Sequence, residues 1–209
     1  MLTSGRALGI ALLVIGIALF SPLEGMAHSL ASAHMVQHLL LILVAGPLLA
    51  VVLPGAVASR WLSPTAAWLL HTVTIWFWHA PGPYQAAVVN PIMHGLEHVT
   101  FLGTAALLWG KVGIGKAQPT GLGVLLVFAM ALQSVFLSVL LTFAESPWYW
   151  VYGATTQAYG LEPLADQQLA GVIMWVPAGL VYTGIALALL MAWIRQHETT
   201  PRLSGSGTF

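Results

Sequence analysis

The chain has 209 residues, of which 58% are hydrophobic and 6% are charged, and its formal net charge at pH 7 is zero. Because a soluble domain carries about 25% charged residues, this composition excludes a soluble protein and predicts one that is integral to a membrane. The balanced charge offers no basic surface to nucleic acid. The absence of cysteine excludes disulfides, thiolate metal sites and thiol nucleophiles.

Apolar segments follow one another along the chain, and each can supply the roughly 20 residues that a bilayer crossing needs. We expect spans over residues 6–20, 30–53, 61–79, 91–109, 121–143 and 164–194. Proline lacks an amide hydrogen, so the second span should be loosened at Gly46-Pro47 and the sixth interrupted at Pro177. The predicted fold class is all-α, a polytopic transmembrane bundle of about six helices. Residues 1–196 form the single bundle domain, and residues 197–209 form a flexible cytoplasmic tail.

The charged residues orient this bundle. The basic residues fall at the two termini and in the second-to-third and fourth-to-fifth connections, namely Arg6, Arg60, Lys111, Lys116, Arg195 and Arg202. Six crossings place all of them on one side, which the positive-inside rule makes cytoplasmic, together with both termini. Residues 145–163, rich in Trp and Tyr, are expected at the opposite membrane interface.

Two histidine pairs stand in these apolar spans, His34 with His38 and His94 with His98. Residues four apart share one face of a helix, and the topology brings both pairs to the same depth in the outer leaflet. Ionisable groups inside a bilayer are costly and usually serve ions, protons or cofactors. Two further residues reach this depth, at the end of the third span and the start of the sixth. We therefore predict a metal site whose ligands are His34, His38, His79, His94, His98 and Asp166.

Other residues could assist this site or have structural roles. Glu97 lies between His94 and His98 and could orient the histidines or serve as a labile ligand. Thioethers suit soft metals, and the candidates are Met35, Met93 and Met174. An interhelical hydrogen bond explains His71 as well as a ligand role does. The remaining expectations are solvated rings at His28 and His197, helix packing at Ser134, Ser138 and Thr142, and an aromatic belt at Trp76 and Trp78.

The chain resembles the CtaG family of assembly factors for caa-type cytochrome c oxidases in three stretches: AHMVQHLLLILVAGPLL, WFWHAPGPYQAAVVNPIMHGLEHVTFL and DQQLAGVIMWVPAGLVY. The motifs stand in the family order. The matching positions are His34, Gln37, His38, Trp78, His79, Pro81, Tyr84, Asn90, His94, Glu97, His98, Asp166, Gln167, Gly171, Trp175 and Pro177. Longer members have an additional hydrophobic helix before the span that corresponds to residues 6–20. The resemblance implies a bacterial plasma-membrane protein, not an enzyme, that matures the oxidase by supplying copper to its catalytic subunit.

Copper also suits the chemistry of the residues. Imidazole binds copper, thioether suits Cu(I), and a site without thiolate is not lost to disulfide formation in an oxidising extracytoplasmic space. We expect copper to enter near Asp166 and His79, to rest between the histidine pairs, and to pass laterally to the oxidase subunit. Gln37 and Gln167, marked by the resemblance, join Glu97 as auxiliary residues.

Two alternatives remain open at this point. His94-Gly-Leu-Glu97-His98 fits the H-x-x-E-H pattern of zinc hydrolases, in which Glu97 would be the general base and Asp166 or His79 a third ligand. Facing histidines on the second and fourth spans could instead hold haem b in an electron-transfer protein. A homodimer is compatible with the sequence.

Overall fold

The computed structural model describes residues 3–53, 62–114 and 119–198, and within these ranges every regular element is helical. The elements are α1 (Ser4–Phe20), α2 (Pro22–Ala27), α3 (Ala31–Val52), α4 (Pro64–His79), α5 (Pro81–Val89), α6 (Pro91–Lys111), α7 (Gly121–Thr142) and α8 (Pro163–Glu198). Two short 3-10 turns, Trp150–Tyr152 and Thr156–Tyr159, lie between α7 and α8. The predicted all-α class is confirmed.

Membrane character follows from the length and surface of these helices. Three of those described are long and apolar enough to cross a bilayer: Ala31–Val52, Gly121–Thr142 and Pro163–Gln196. Large apolar side chains cover the outer faces of the bundle, for example Leu13, Phe136 and Leu180, which are 62%, 59% and 72% exposed. Six crossings and the cytoplasmic termini stay predictions. Three of the basic residues used for that orientation lie outside the described residues: Arg60, Lys116 and Arg202.

Proline and short polar side chains set where several helices begin. Ser63 and Asn90 accept hydrogen bonds from the first backbone amides of α4 and α6, and both helices have proline in their first turn. Thr120 caps α7 in the same way, through the amide of Gly123. These signals explain why the predicted starts of the fourth and fifth spans agree with the structure.

The structure differs from the predicted spans in four places. The short helices α2 and α5 occupy segments that were predicted to be connections. The predicted interruption at Pro177 is wrong, because α8 continues through it; one lost hydrogen bond does not end a helix whose alternative is backbone exposed to lipid. Helix α8 also runs to Glu198, into the predicted tail, while residues 199–209 and the side chain of His197 lie outside the described part of the chain.

Helix α3 is loosened just before Pro47, as predicted. Residues Leu40–Ala45 form a π-helical turn in which the amide of Gly46 donates to Leu41, five residues back. The carbonyl of Ile42 would be the partner of residue 47 in this register, but proline has no amide hydrogen. The indole of Trp109, on α6, donates to that carbonyl at 2.7 Å instead. The π-helical turn is therefore joined to α6 by a buried hydrogen bond.

Close helix contacts complete the bundle. Helix α6 packs against α3, α4 and α5, while α8 packs along α7 and against the beginning of α3. Gly171 of α8 lies so near Ser138 and Thr142 of α7 that no side chain could be accommodated there. The predicted packing role of the α7 stripe is confirmed at these two residues. The result is a bundle in which α3 and α6 begin, and α4 ends, at the same end.

We expect Trp109→Phe to destabilise the protein by about 1–2 kcal/mol, because it leaves the Ile42 carbonyl without its donor while keeping an aromatic ring. Thermal unfolding in detergent micelles measures this loss. Trp150→Phe is the control, since Trp150 is 68% exposed. Equal stability of the two variants would contradict the role assigned to the Trp109 indole.

Candidate metal centre

Five histidine rings form one buried cluster where α3, α4 and α6 meet. The four-residue spacing places each pair on one helix face with the rings edge to face: the ring centroids are 4.5 Å apart for His34 and His38, and 4.1 Å apart for His94 and His98. The two helices face each other, with 5.4 Å between the His34 and His94 centroids. His79, in the last turn of α4, lies 5.4 Å from His38. The structure thus brings together all five histidines that the sequence singled out as ligands.

The carboxylate of Glu97 is fully buried in the middle of this cluster. Its Oε2 atom lies 3.0 Å from Nε2 of His34 and 3.7 Å from Nδ1 of His94, and its Oε1 atom lies 3.3 Å from Nε2 of His38. Ligand atoms of His34, His94, Glu97 and His98 all lie within 4.8 Å of one another. A buried carboxylate requires a compensating positive charge, which a proton on a histidine or a bound metal ion would supply.

Hydrogen bonds at the rear of two rings orient their front nitrogens. The Tyr152 hydroxyl donates its proton to the Ala27 carbonyl at 2.9 Å, so its oxygen, 3.3 Å from Nδ1 of His34, accepts from that nitrogen. Nδ1 of His79 donates to the Ile75 carbonyl at 2.7 Å. In the neutral ring each Nε2 then carries a lone pair that can bind a metal ion, and with a second proton Nε2 of His34 donates to the Glu97 carboxylate at 3.0 Å. Histidines that bind metals usually donate their other ring N–H to an oxygen in this way, which fixes the tautomer.

Several buried polar atoms of the cluster have no hydrogen-bond partner among the described residues. They are both ring nitrogens of His38 and of His94, Nε2 of His79, Nε2 of His98 and Oε1 of Glu97. Nearly all buried polar atoms in proteins are paired, so such a concentration calls for an explanation. Imidazole nitrogens and a carboxylate oxygen are donors that suit copper and zinc. The residues present therefore fit a metal ion of this class.

Glu24, a residue to which the sequence analysis assigns no role, lies at the edge of the cluster. Its Oε1 atom is 3.0 Å from Nε2 of His94 and 3.4 Å from Nε2 of His28. Gln37 donates to its Oε2 atom at 2.5 Å and to the Ala18 carbonyl at 2.7 Å. A sequence signal existed, since Glu24 and His28 are four residues apart, but the short helix α2 that makes this spacing meaningful was not predicted. His28 is exposed, as predicted, although Nδ1 donates to the Val88 carbonyl.

Tyrosines of α5 and of the α7–α8 connection cover the cluster. Tyr149 stacks on Tyr84 with centroids 3.7 Å apart and donates to the His79 carbonyl, while Tyr84 lies 3.2 Å from the Tyr152 hydroxyl oxygen. Burial raises the pKa of Tyr149 and of Tyr152 well above the usual range, so both phenols stay neutral. Aromatic content had suggested an interfacial loop, and Trp150 is indeed exposed. The packing of its two tyrosines against the histidines was not predicted.

Asp166 lies outside the cluster and is engaged elsewhere. Its carboxylate accepts hydrogen bonds from the amide of Ala31 at 2.6 Å, the amide of Ser32 at 3.2 Å and the Ser32 hydroxyl at 2.5 Å. These are the first amides of α3, for which Leu30 provides no cap of its own. Asp166 thus caps α3 from α8, and its charge also favours the positive end of the helix dipole. Its predicted role as a ligand has no support in this geometry.

The remaining candidates have structural surroundings. Met35 and Met174 are buried in the apolar core, and Met93 is 37% exposed. Gln167 accepts from the Trp148 amide at 2.5 Å. His71 is paired with Thr104 through Nδ1 at 2.7 Å, which is the interhelical hydrogen bond considered above. Trp78 is buried and donates to Thr100, and Trp76 donates to Gln133, so these indoles bind neighbouring helices rather than forming a belt.

One family of known proteins matches this chain over most of its length. The profile of the family described as "Cytochrome c oxidase caa3 assembly factor" matches residues 7–196, a range that includes every residue of the histidine cluster. No curated protein and no solved structure shows a significant match to the chain.

We expect Asp166→Ala to lower the stability of the protein by about 1–2 kcal/mol, because three hydrogen bonds at the start of α3 lose their acceptor. Asp166→Asn, which keeps one acceptor oxygen, should lie between this variant and the wild type. Thermal unfolding gives the stability, and elemental analysis after metal loading gives the metal content. A variant of unchanged stability that fails to bind metal would instead restore Asp166 as a ligand; Glu162→Gln, at an exposed position, is the control.

Proposed function

Because the chain belongs to the cytochrome c oxidase caa3 assembly factors, we propose that it binds copper in the His34, His38, His79, His94, His98 and Glu97 cluster and delivers it to the catalytic subunit of the oxidase. The proposed location is the bacterial plasma membrane, with the cluster towards the extracytoplasmic side. Copper is the cargo of this protein rather than a resident cofactor.

One observation carries the proposal: buried imidazole nitrogens converge on a buried carboxylate without the hydrogen bonds that would satisfy them. The orientation of the rings strengthens it, because Tyr152 and the Ile75 carbonyl hold the front nitrogens of His34 and His79 as acceptors. Nε2 of His34 and Oε2 of Glu97, 3.0 Å apart, are within hydrogen-bond distance, and a metal ion bound to both would take the place of the proton between them. A site built for hydrogen bonding alone would also pair the ring nitrogens of His38, His94 and His98 that have no partner among the described residues.

Charge favours Cu(I) over Zn²⁺ as the cargo. Within the inner cluster Glu97 is the single carboxylate among neutral imidazoles, so Cu(I) gives a complex of zero net charge, whereas Zn²⁺ leaves one positive charge buried. Uncompensated charge in a low-dielectric interior is strongly disfavoured. Cu(I) also accepts low coordination numbers and soft or imidazole ligands, so the ion can shed ligands stepwise when it is passed on.

The route of delivery follows from the exposed face of α6. Ile92, Leu96 and Val99 are 71%, 47% and 70% exposed, at the same level as His94 and His98. In the bilayer this apolar face is open to contact with a helix of the oxidase subunit. Copper would then leave laterally, near His98, without crossing water.

The alternatives have less support. A hydrolase needs a substrate to reach the metal, but His34, Glu97 and His98 are 0%, 0% and 4% exposed. Haem requires an open plane for a flat macrocycle between its two ligands, whereas the rings of His38 and His94 pack against both His34 and His98, with centroids 4.1–6.0 Å apart. A visible spectrum and an assay of turnover by the Glu97→Gln variant would test haem and hydrolysis directly.

We expect the double variant His34→Ala/His98→Ala to lose the tightly bound copper, because it removes one ligand from each of the two facing helices. Elemental analysis of detergent-purified protein after anaerobic loading with Cu(I) measures the loss. In cells, the same variant should fail to support assembly of an active oxidase.

The matched control is His71→Ala, which removes a buried histidine about 12 Å along α4 from His79. It should keep the copper and the oxidase activity of the wild type. Copper retained by the His34→Ala/His98→Ala protein, or lost equally from both variants, would exclude the proposed site.

A second expectation concerns charge at the site. Glu97→Gln keeps the shape and the histidines but turns the neutral Cu(I) complex into a buried cation, so we expect copper affinity to fall about 10–100-fold. Competition with a chromogenic Cu(I) chelator gives the affinity. Unchanged affinity would show that Glu97 does not compensate the charge of the ion.

A further inference from the structure

We propose a second, outer metal site formed by Glu24, His28 and His94, at which the copper ion is taken up before it passes inward. This inference rests on the proposed function and adds the point of uptake to it. No residue of α2 figured in the predicted site, and Asp166 and His79 were the expected point of uptake.

The outer site has a compact set of donors. Nε2 of His28 and Nε2 of His94 lie 3.4 and 3.0 Å from the same oxygen, Oε1 of Glu24. The two rings are in contact, with centroids 4.9 Å apart. Ligand atoms of all three residues fall within 4.8 Å of one another, which a single transition-metal ion can span.

The nitrogens that face Glu24 are free to bind a cation. Nδ1 of His28 donates to the Val88 carbonyl, so Nε2 of the neutral ring carries a lone pair. Nε2 of His94 is buried and has no hydrogen-bond partner among the described residues, although Glu24 is close. Nε2 of His28, Nε2 of His94 and Oε1 of Glu24 can therefore bind one cation at the edge of the bundle.

Gln37 holds the carboxylate in position. Its amide donates to Oε2 of Glu24 and to the Ala18 carbonyl, which directs Oε1 of the same carboxylate towards the two histidines. Gln37 is thus a positioning residue, and it stands between His34 and His38 on α3. The same turn of α3 therefore carries two inner ligands and the residue that positions the outer carboxylate.

His94 belongs to both sites and links them. Its Nε2 faces Glu24, and its Nδ1 lies 3.7 Å from Glu97 on the other side of the ring. Side-chain exposure falls along this line, from 42% at His28 and 29% at Glu24 to 8% at His94 and 0% at Glu97. An ion held by Glu24 and His28 has only one ring to pass before it reaches the inner cluster, and the His94 proton moves from Nδ1 to Nε2 as the ion passes, because a neutral imidazole offers one lone pair at a time.

The test is a Cu(I) titration of the full-length protein in detergent, followed by stopped-flow filling of the tight site, with a chromogenic Cu(I) chelator as the reporter. The variant is Glu24→Gln/His28→Ala, which leaves His94 and the inner ligands intact. Glu24→Gln alone is the milder second variant, and it can still bond to Gln37. Glu162→Gln, an exposed residue at the same end of the bundle, is the control.

We expect the wild type and the control to take up a weak equivalent in addition to the tight one. Both Glu24 variants should lose the weak equivalent, keep the tight one, and fill it at least about tenfold more slowly. Variants that match the control in stoichiometry and in rate would overturn the outer site. Loss of both equivalents together would also overturn it, since Glu24 and His28 would then belong to a single site.

These outcomes are separable from failure of the proposed function. That proposal fails if no tight equivalent is found in the wild type, or if His34→Ala/His98→Ala retains it, and neither readout involves Glu24 or His28. A tight equivalent that depends on His34 and His98 but is indifferent to Glu24 would leave the copper site in place and remove only the point of uptake.

Discussion

The buried carboxylate of Glu97 is the constraint on which the rest of the structure depends. An ionised group with 0% exposure in a membrane bundle costs several kcal/mol unless nearby groups compensate it. His34 and His38 on α3 and His94 one turn earlier on α6 are placed within 3.7 Å of it. Because these contacts come from two helices and His79 adds a third at the same level, α3, α4 and α6 must meet at one depth.

The residues around the cluster also connect the helices of the bundle. Asp166 caps α3 from α8, and Tyr152, in the connection between α7 and α8, bonds to His34. The α7–α8 pair is therefore fixed to the start of α3 at two points beside the histidines. The polar residues that the sequence offers as ligands therefore have two kinds of role. Some face the cluster, whereas Asp166 fixes the start of α3 and Gln37 positions the carboxylate of Glu24.

The parts of this structure that could be predicted are those encoded locally. Hydropathy predicts the long helices, Asn90 and Pro91 mark the start of α6, and the four-residue spacing places His34 with His38. The misses involve partners distant in sequence: Asp166 and Ala31 are 135 residues apart, and Tyr152 and His34 are 118 apart. The helical periodicity of a sequence does not predict contacts between residues so far apart in the chain. The position of the histidines inside predicted membrane spans indicates which of them are unusual. Only the packed bundle shows which other groups, Glu24 among them, lie beside them.

The proposed copper transfer requires a site that binds the ion firmly and still gives it up, and the arrangement of donors suits both requirements. The inner cluster offers more nitrogens than Cu(I) needs at one time, so one ligand can be exchanged for another without a step in which the ion is bare. His94 lies between two carboxylates, at 3.0 Å from Glu24 and 3.7 Å from Glu97. Because each carboxylate offsets the charge of an ion at its own site, an ion that moves between them is not left uncompensated in the bundle. Transfer then requires a small displacement around one imidazole ring rather than a rearrangement of helices whose positions the buried carboxylate already fixes.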